Sequence, residues 1–469
     1  MDMGKATTKR REDLLLREVP WKAILFFALP IYFSVLFSQG YGLLEGYWLS
    51  NGSHEAFTAV SLSGYFVYFG TTFASGLSTG VTNVTAQRFG EGKTEKVRQS
   101  IALSFLLCFF VGIAISLLMC GLVEPLLDFG NVPVGAIREA AKTYLFWIFG
   151  ASLIGISLQN LIVSLFRSFG AKRESFYVSV FYVLLNTLLD FLFLVVINLS
   201  VLGVGLAYAL SQFLAFLFGL AIFYFRFPDY RLRPADFHFG KSDVTAHARS
   251  AFYYAGQCSV IGVGLFFLQR SLNSFGSTAI DGYSLANRLF NYLGIFETAL
   301  SSSFMYFTAQ NRGKRDGDRV KTGLRHYFYL SAIPGLIALG IGFVFKDGFF
   351  NFFFDSKDYP KIYQSYSITL LFFLPSFFLT MTLNGFRCLF FGVSRPALAF
   401  ISTVVEALVR IFFALVITPS LGFYSVPLSD VMAWGATSAF CVVAYFVVRS
   451  QIYVPSSMER PQPKSSKHA

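Results

Sequence analysis

An amide and a carboxylate interrupt a long apolar stretch near the middle of the chain. Asn186 and Asp190 lie in residues 182–196, YVLLNTLLDFLFLVV, which are otherwise almost wholly apolar. If this stretch is a helix, two side chains four positions apart lie on the same face. An ionisable group at the centre of a bilayer costs about 2.5 kcal/mol or more, and such groups usually mark ion or substrate pathways. We therefore predict an ion or substrate site; the alternative is a polar pair that a neighbouring helix satisfies.

The composition predicts that such stretches cross a membrane. Of the 469 residues, 55% are hydrophobic and only 14% are charged, whereas soluble proteins carry about 25% charged residues. Apolar runs of about 20 residues, long enough to cross the hydrocarbon core, recur along the whole chain. The net charge of +12 comes mainly from alternate loops, which is how membrane topology is encoded rather than a sign of nucleic-acid binding. We predict an all-α polytopic membrane protein without a nucleic-acid partner.

The cysteines and histidines predict no cofactor. The five cysteines fall within apolar runs without a CxxC motif, and the five histidines fall in loops or the tail, so haem and redox-metal sites are not expected. A membrane enzyme, such as a glycosyl- or acyltransferase, would need a metal-binding acidic pair or a catalytic histidine near an interface. Neither is evident, and we predict that the chain is not an enzyme.

Twelve predicted spans form two sets of six. The expected domains are a cytoplasmic amphipathic segment at 1–21, a first lobe at 22–226, a cytoplasmic linker at 227–243, a second lobe at 244–449 and a cytoplasmic tail at 450–469. No cleavable signal peptide is predicted, because the first apolar run continues as a full span. Basic residues such as Lys93, Arg173 and Lys314 occupy every second loop. The positive-inside rule then places both termini in the cytoplasm, and we expect the plasma membrane.

The two sets repeat each other. TAQRFG at 85–90 returns as TAQNRG at 308–313, an offset of 223 residues (310 − 87 = 223). Phe166-Arg167 returns as Phe386-Arg387, an offset of 220 (386 − 166 = 220). Matching spans cross in the same direction, so the repeat is parallel, about an axis along the membrane normal. Transporters built in this way hold the substrate between their halves.

Polar residues inside the spans differ between the two halves. Glu45 lies near the outer end of the first span, and an offset of 224 assigns Gln269 to the same place in the second half. An offset of 220 relates Asn186 and Asp190 to Glu406 and Arg410. Glu406 and Arg410 are four residues apart and can neutralise each other, so we interpret them mainly as a structural pair. The two carboxylates of the first half have no deep basic residue nearby in sequence.

Several motifs together resemble one transporter family. Ala28-Leu29-Pro30 followed by LEGYWLS at 44–50 resembles the first helix of the multidrug and toxic compound extrusion (MATE) transporters, with Glu45 where Asp is usual. The paired Gln-x-x-Gly loops, Asn186-x-x-x-Asp190 and Ala286-Asn287-Arg288 are similar to further motifs of this family, of the bacterial type. The resemblance covers about residues 22–449 and also indicates the wider multidrug/oligosaccharidyl-lipid/polysaccharide exporter superfamily.

Two departures from the family pattern affect the choice of coupling ion and the bend. Leu210 stands where many members carry a threonine near the cation site, with Tyr208 and Ser211 the nearest hydroxyls. This departure favours protons over sodium. Pro30 should bend its helix because it removes a backbone hydrogen bond, and its second-half counterpart, in residues 252–254, has no proline.

The resemblance implies a secondary antiporter that exports an amphipathic, cationic organic compound in exchange for H⁺ or Na⁺. Twelve helices in two lobes would surround a V-shaped cavity, in a monomer within the lipid bilayer that needs no cofactor. Glu45, Asn186 and Asp190 would bind the coupling ion, and Na⁺ would bind there if sodium drives transport. The other cavity candidates are Pro30, Tyr208, Gln269, Arg270, Asn287, Arg288, Glu297, Glu406 and Arg410.

Two questions about the second half remain open from the sequence. Arg270, Asn287, Arg288 and Glu297 could pair among themselves instead of lining a cavity. The alternative function is a flippase for a lipid-linked sugar. Such a protein needs basic side chains for a diphosphate, and Arg270, Arg288 and Arg410 would supply them.

Overall fold

The computed structural model describes residues 14–52, 54–130, 132 and 134–453. Most of the predicted N-terminal segment at 1–21 and of the tail at 450–469 lies outside these residues. The described part of the chain is almost entirely helical and contains no β-strand. The prediction of an all-α fold is confirmed.

Twelve long helices follow one another along the described chain. They are α1 (Pro20–Gly52), α2 (His54–Gly90), α3 (Thr94–Gly121), α4 (Ala136–Ser168), α5 (Lys172–Val196), α6 (Ser200–Arg226), α7 (Lys241–Asn273), α8 (Ser277–Gly313), α9 (Gly317–Phe353), α10 (Pro360–Gly392), α11 (396–421) and α12 (Ser425–Ile452). Short helices at Leu14–Arg17 and Val123–Phe129 lie outside them, and two single turns, Pro228–Tyr230 and Pro234–Phe237, lie between α6 and α7.

Apolarity divides these helices into two groups. Nine segments of the described chain are long and apolar enough to cross a membrane, one of them covering α11 and α12 together. The two helices that fall below this level are α2 and α8, which are rich in serine, threonine and glycine. They are equivalent members of the two lobes, and each packs against the other and against a helix of the opposite lobe. The number of twelve crossings stays a prediction.

The repeat is visible in the helix lengths. Both α2 and α8 have 37 residues, and their first residues are 223 positions apart (277 − 54 = 223). Both α5 and α11 change from α- to π-helical geometry near the same depth, at Phe191–Val196 and Phe413–Ile417. This irregular geometry of the fifth helix repeats along with the helix lengths, as expected if the two lobes are copies of one six-helix unit.

The structure corrects one part of the predicted correspondence. Helices α4 and α10 have matching ends at an offset of 224 (392 − 168 = 224), as do the starts of α5 and α11 (396 − 172 = 224). Glu406 therefore corresponds to Tyr182, and Arg410 to Asn186. The offset of 220 was wrong by four residues, about one helical turn, which leaves a residue on the same face and is difficult to detect in a sequence.

The lobes are in close contact at the end of the helices that carries the basic loops, which we call the basic end. Ser303 of α8 donates to the carbonyl of Ile24 in α1 at 2.7 Å, and Ser250 of α7 donates to the carbonyl of Gly80 in α2 at 2.7 Å. A Cβ atom on Gly80 would be 2.7 Å from the Cα atom of Ala251, so glycine permits the close approach of α2 and α7.

The repeated Gln-x-x-Gly segments meet each other at the basic end. A Cβ atom on Gly90 would overlap the carbonyl of Gln310, and one on Gly313 would overlap the carbonyl of Gln87. The Gln310 amide donates to the Ser168 carbonyl at 2.7 Å, and the Gln87 amide donates to the equivalent Gly392 carbonyl at 3.0 Å. We call Gln87, Gly90, Gln310 and Gly313 the basic-end clasp, a two-fold symmetric contact that joins the lobes.

Candidate ion and substrate site

Helices α1, α5 and α6 bring four polar side chains together inside the first lobe. Asn186 Nδ2 donates to Asp190 Oδ2 and to the Tyr41 hydroxyl, each at 2.7 Å. Tyr41 in turn donates to the same Asp190 oxygen, and Ser211 Oγ donates to Asn186 Oδ1 at 2.7 Å. Asn186 and Asp190 are both 0% exposed. The helical spacing places the predicted pair on one face, and Tyr41 and Ser211 connect it to α1 and α6.

Glu45 joins this group through Tyr41. It lies one turn beyond Tyr41 on α1, is half-buried, and its carboxyl group lies near the Tyr41 hydroxyl. Tyr41 therefore lies beside both carboxyl groups. The second oxygen of Asp190, Oδ1, is buried and has no hydrogen-bond partner. We call Tyr41, Glu45, Asn186, Asp190 and Ser211 the first-lobe cluster.

Two tyrosines lie between the first-lobe cluster and an adjoining cavity. The rings of Tyr182 on α5 and Tyr208 on α6 are 6.4 Å apart in an edge-to-face arrangement. Tyr208, a cavity candidate from the sequence, lines this cavity together with Tyr182.

The cavity beside these tyrosines is polar and has a volume of about 410 Å³. We call it the first-lobe cavity; α1, α2, α4, α5 and α6 surround it. Its wall contains hydroxyl groups and four amide side chains, those of Gln39, Gln159, Asn160 and Gln212. Arg167 is the one charged side chain in the wall among the described residues.

Arg167 is a wall residue that the sequence did not assign to the site. It lies near the end of α4, half-buried, and its Nε donates to Ser175 Oγ at 3.1 Å. In the sequence, Arg167 stands out only as part of the repeat. Its position as a lone arginine within the apolar and hydroxyl-rich run LIVSLFRSF is the sequence feature that could have indicated a role in the site.

A second cavity, of about 380 Å³, lies between α1 and α8. We call it the interlobe cavity; it shares Gln39 with the first-lobe cavity. Asn287 and Arg288, two cavity candidates from the sequence, line it. The Arg288 guanidinium also lies over the Phe353 ring, 5.9 Å from its centre.

The other polar candidates of the second lobe lie elsewhere. Gln269 and Arg270 line neither cavity, and Gln269 donates to Asn273 at 2.7 Å. Glu297 is buried and accepts hydrogen bonds from Ser301 at 2.6 Å, Tyr327 at 2.8 Å and Asn384 at 3.2 Å. The alternative that Glu297 pairs with Arg270 or Arg288 is therefore not what the structure shows.

Glu406 and Arg410 belong to a larger network than the sequence indicated. Arg410 Nη1 is 2.6 Å from Glu406, and its Nε is 2.8 Å from Asp430. Arg387 is 2.6 Å from the other oxygen of Glu406. These four side chains are 2–4% exposed, and Tyr283 donates to Asp430 at 2.6 Å. We call Arg387, Glu406, Arg410 and Asp430 the second-lobe ion network; it contains two acids and two bases.

An exposed charge cluster lies at the opposite end from the basic loops. Glu124 accepts from Lys142 at 2.6 Å and from Arg138 at 2.9 Å. The hydrogen bond from Lys142, followed by that from Arg138, lowers the pKa of the Glu124 carboxyl. This cluster joins the short helix Val123–Phe129 to α4 at the surface.

Comparison with known proteins identifies the family. The MatE family model matches residues 30–192 and 256–416, once in each lobe. The chain belongs to the MatE family. A probable multidrug resistance protein of Bacillus subtilis, YpnP, is 24% identical over 373 residues, covering 78% of this chain and 81% of that protein. An FAD transporter of Shewanella oneidensis is 22% identical over 310 residues, covering 65% and 68%.

Solved structures of this MatE protein's relatives have the same fold. A MOP superfamily transporter from Pyrococcus furiosus, described as having a binding pocket of reversed polarity, superposes with a TM-score of 0.85 at 20% identity, covering 96% of this chain and 99% of that one. An outward-facing multidrug resistance MATE transporter gives a TM-score of 0.85 at 21% identity, with the same coverage. The predicted two-lobe fold is confirmed, and family membership confirms a transporter rather than an enzyme.

Proposed function

We propose that this MatE protein is a multidrug-type secondary exporter of the plasma membrane, with both termini in the cytoplasm. It moves an organic small molecule outward while protons move inward through the first-lobe cluster. The observation that carries this proposal is the arrangement around Tyr41: its hydroxyl donates to Asp190, Glu45 lies nearby, and Asp190 Oδ1 is buried without a partner. Keeping both carboxyl groups ionised without a cation is costly in free energy, so the site should take up a proton or a metal cation.

The hydrogen-bond pattern favours the proton. Asn186 directs its NH₂ group at Asp190 and Tyr41, while its oxygen accepts from Ser211. An amide donor facing a carboxylate stabilises the negative charge in the absence of any cation, and a proton can bind Asp190 Oδ1 without moving these groups. Sodium needs several oxygen ligands at once, so the Asn186 amide would have to turn. Na⁺ is therefore the second candidate ion at Glu45, Asn186 and Asp190.

Helix α1 connects ion binding to the substrate path. It carries Tyr41 and Glu45 in the first-lobe cluster, and one to two turns earlier it contributes Ser34, Ser38 and Gln39 to the first-lobe cavity. Pro30 lies within the same helix, and its carbonyl accepts from Ser34 at 2.9 Å. Proton binding would remove charge at Asp190 or Glu45, after which α1 repacks, bends at Pro30 and changes the cavity wall. This is a steric coupling, so it acts on a substrate of either charge.

The lobe contacts support an outward-facing state. The basic-end clasp joins the lobes at the predicted cytoplasmic end, and the interlobe cavity lies further along α1, beyond that contact. The flippase alternative has less support, because Arg410 is consumed by the second-lobe ion network and Arg270 lines neither cavity.

Transport in proteoliposomes separates the two ions. The purified protein is reconstituted, and export of a fluorescent substrate is measured with an imposed H⁺ gradient, an imposed Na⁺ gradient or neither. We expect the H⁺ gradient alone to drive export and Glu45→Gln to reduce it strongly. Glu124→Gln, a change at an exposed carboxylate outside the site, should retain wild-type export. Export driven only by Na⁺, or a Glu45→Gln variant that behaves like wild type, would contradict proton coupling at this site.

A further inference from the structure

We propose that the substrate of this transporter is an organic anion, whose carboxylate or phosphate group binds Arg167 in the first-lobe cavity. The proposal rests on the transport function given above and adds the charge of the substrate. It departs from the cationic compound that the family resemblance implied.

The charged side chains along the path are all basic. Arg167 lines the first-lobe cavity and Arg288 lines the interlobe cavity, and no carboxylate lies in either wall among the residues that the structure describes. A cationic substrate would meet an arginine in each wall and no carboxylate in either wall, whereas an anion would be attracted by both arginines. The amide and hydroxyl groups of the walls can form hydrogen bonds with a cation or an anion, so the two arginines determine which substrate charge is favoured.

Arg167 has free hydrogen-bonding capacity facing the cavity. Its Nε is used by Ser175, while its two terminal nitrogens have no hydrogen-bond partner within the described ranges. A guanidinium presents these nitrogens as a planar fork, which binds carboxylate and phosphate groups through two parallel hydrogen bonds. Arginine so placed is a recognition group for an oxyanion.

In the second lobe, a buried ion pair occupies the space equivalent to the first-lobe cavity. At the offset of 224 that relates α4 to α10 and α5 to α11, Val163 and Tyr182 of the first-lobe cavity correspond to Arg387 and Glu406. In the second lobe these residues form a buried ion pair, and the Arg387 guanidinium is satisfied by Glu406 and Ser402. In the first lobe the same region is a cavity whose arginine lacks an internal acid. A substrate anion would supply the missing negative charge.

One relative is consistent with this sign: it is described as an FAD transporter, and FAD carries a diphosphate. That description belongs to that protein, and the argument for this chain is the composition of its two cavity walls.

Equilibrium binding to the full-length protein in detergent tests the proposal without any ion gradient. Riboflavin and FMN share one ring system and differ by a single phosphate; 6-carboxyfluorescein supplies carboxylates, and ethidium is the cation. We expect at least one of FMN and 6-carboxyfluorescein to bind, FMN about tenfold or more tighter than riboflavin if the site prefers phosphate. Arg167→Gln should reduce the affinity for the anion by about tenfold or more, and Arg167→Lys should reduce it less. Arg173→Gln, at an exposed arginine of the same end, should bind like wild type.

The results separate this inference from the proposed function. Binding of ethidium without either anion, binding of neither anion, or anion binding that Arg167→Gln does not change would each overturn the anion proposal. The same probes are then transported in proteoliposomes. Anion export that does not depend on the H⁺ gradient would contradict the proposed function but not the anion site. Export of ethidium and not of the anions, driven by H⁺, would contradict the anion site but not the proposed function.

Discussion

The two lobes satisfy their buried polar and charged side chains in different ways. Each places charged or polar side chains deep in the membrane on its fifth helix, α5 or α11. In the second lobe, Arg387, Glu406, Arg410 and Asp430 neutralise one another and fill the space. In the first lobe, Asp190 is held by neutral donors, one of its oxygens has no partner, and a polar cavity adjoins it. A duplicated fold has thus kept its helices while its ionisable chemistry differs between the copies.

This difference assigns separate tasks to the lobes. A buried network with equal numbers of acids and bases loses much stability when one partner is removed or protonated. A carboxyl group held by the neutral side chains of tyrosine and asparagine can gain or lose a proton without leaving an opposite charge unpaired. The second-lobe ion network therefore suits a fixed structural element, and the first-lobe cluster suits a site that changes charge during transport.

The largest effect is expected from breaking the second-lobe ion network. Arg410→Met should lower the free energy of unfolding by about 3–5 kcal/mol, because it leaves Glu406 and Asp430 without their shared partner in a buried site. Thermal unfolding in detergent and the yield of monodisperse protein measure this loss. Adding Asp430→Asn to Arg410→Met should recover part of the stability, since it removes one unpaired charge. Wild-type stability in the single variant would mean that the network is incidental.

Equivalent substitutions in the two halves of the basic-end clasp should have the same effect, unlike substitutions in the polar sites, which differ between the lobes. Gly90→Ala and Gly313→Ala each force a methyl group onto a backbone carbonyl of the other lobe, and each should weaken the closed basic end by about 1–3 kcal/mol. Spin labels at Arg173 and Lys314 report the separation of the lobes. We expect the distance between the two labels to become longer and more broadly distributed in both variants. It should stay unchanged in Gly294→Ala, where nothing lies within 4 Å of the added methyl group. A change in one lobe's variant only would contradict the symmetry of the clasp.

The exposed cluster at Glu124 should contribute least to the stability of the protein, and its contribution should depend on pH. The pKa of Glu124 is lowered by Lys142 and Arg138, so its contribution to stability is present above the ordinary glutamate range and is lost as the pH falls through the lowered value. We expect Glu124→Gln to remove a small part of the acid dependence of unfolding between about pH 5 and pH 3 and to leave transport intact. The difference between variant and wild-type melting curves across this range measures it, and a loss of transport would show that the cluster is more than a surface contact.

Local spacing made part of both sites predictable. Asn186 with Asp190 and Glu406 with Arg410 are each four residues apart on one helix, so the helical repeat alone places them in contact. The Gln-x-x-Gly repeat likewise predicted two matching lobes. The partners from other helices were not predictable: Tyr41 contacts Asp190 across 149 positions of sequence, and it is one of 24 tyrosines.

The sequence also failed where neighbouring turns of a helix resemble each other. An offset of 220 instead of 224 moved Glu406 and Arg410 one turn, so the cavity of the first lobe was not recognised as the counterpart of the ion network. Asp430 and Arg387 were missed as partners because their contacts depend on how α10, α11 and α12 pack. Arg167 was missed as a cavity residue because its position in the wall depends on how α1, α2, α4, α5 and α6 pack.

The central claim is that Asp190 couples transport to the proton gradient, and Asp190→Asn tests it most directly. The variant keeps the shape of the side chain and an oxygen that can accept from Tyr41, so it should remain folded and stable within about 1 kcal/mol. In proteoliposomes we predict that it still exchanges labelled for unlabelled substrate across the membrane but no longer accumulates substrate against its gradient when a pH difference is imposed. Full gradient-driven accumulation by this variant, at an expression level and melting temperature matched to wild type, would contradict the account and move the search to Glu297.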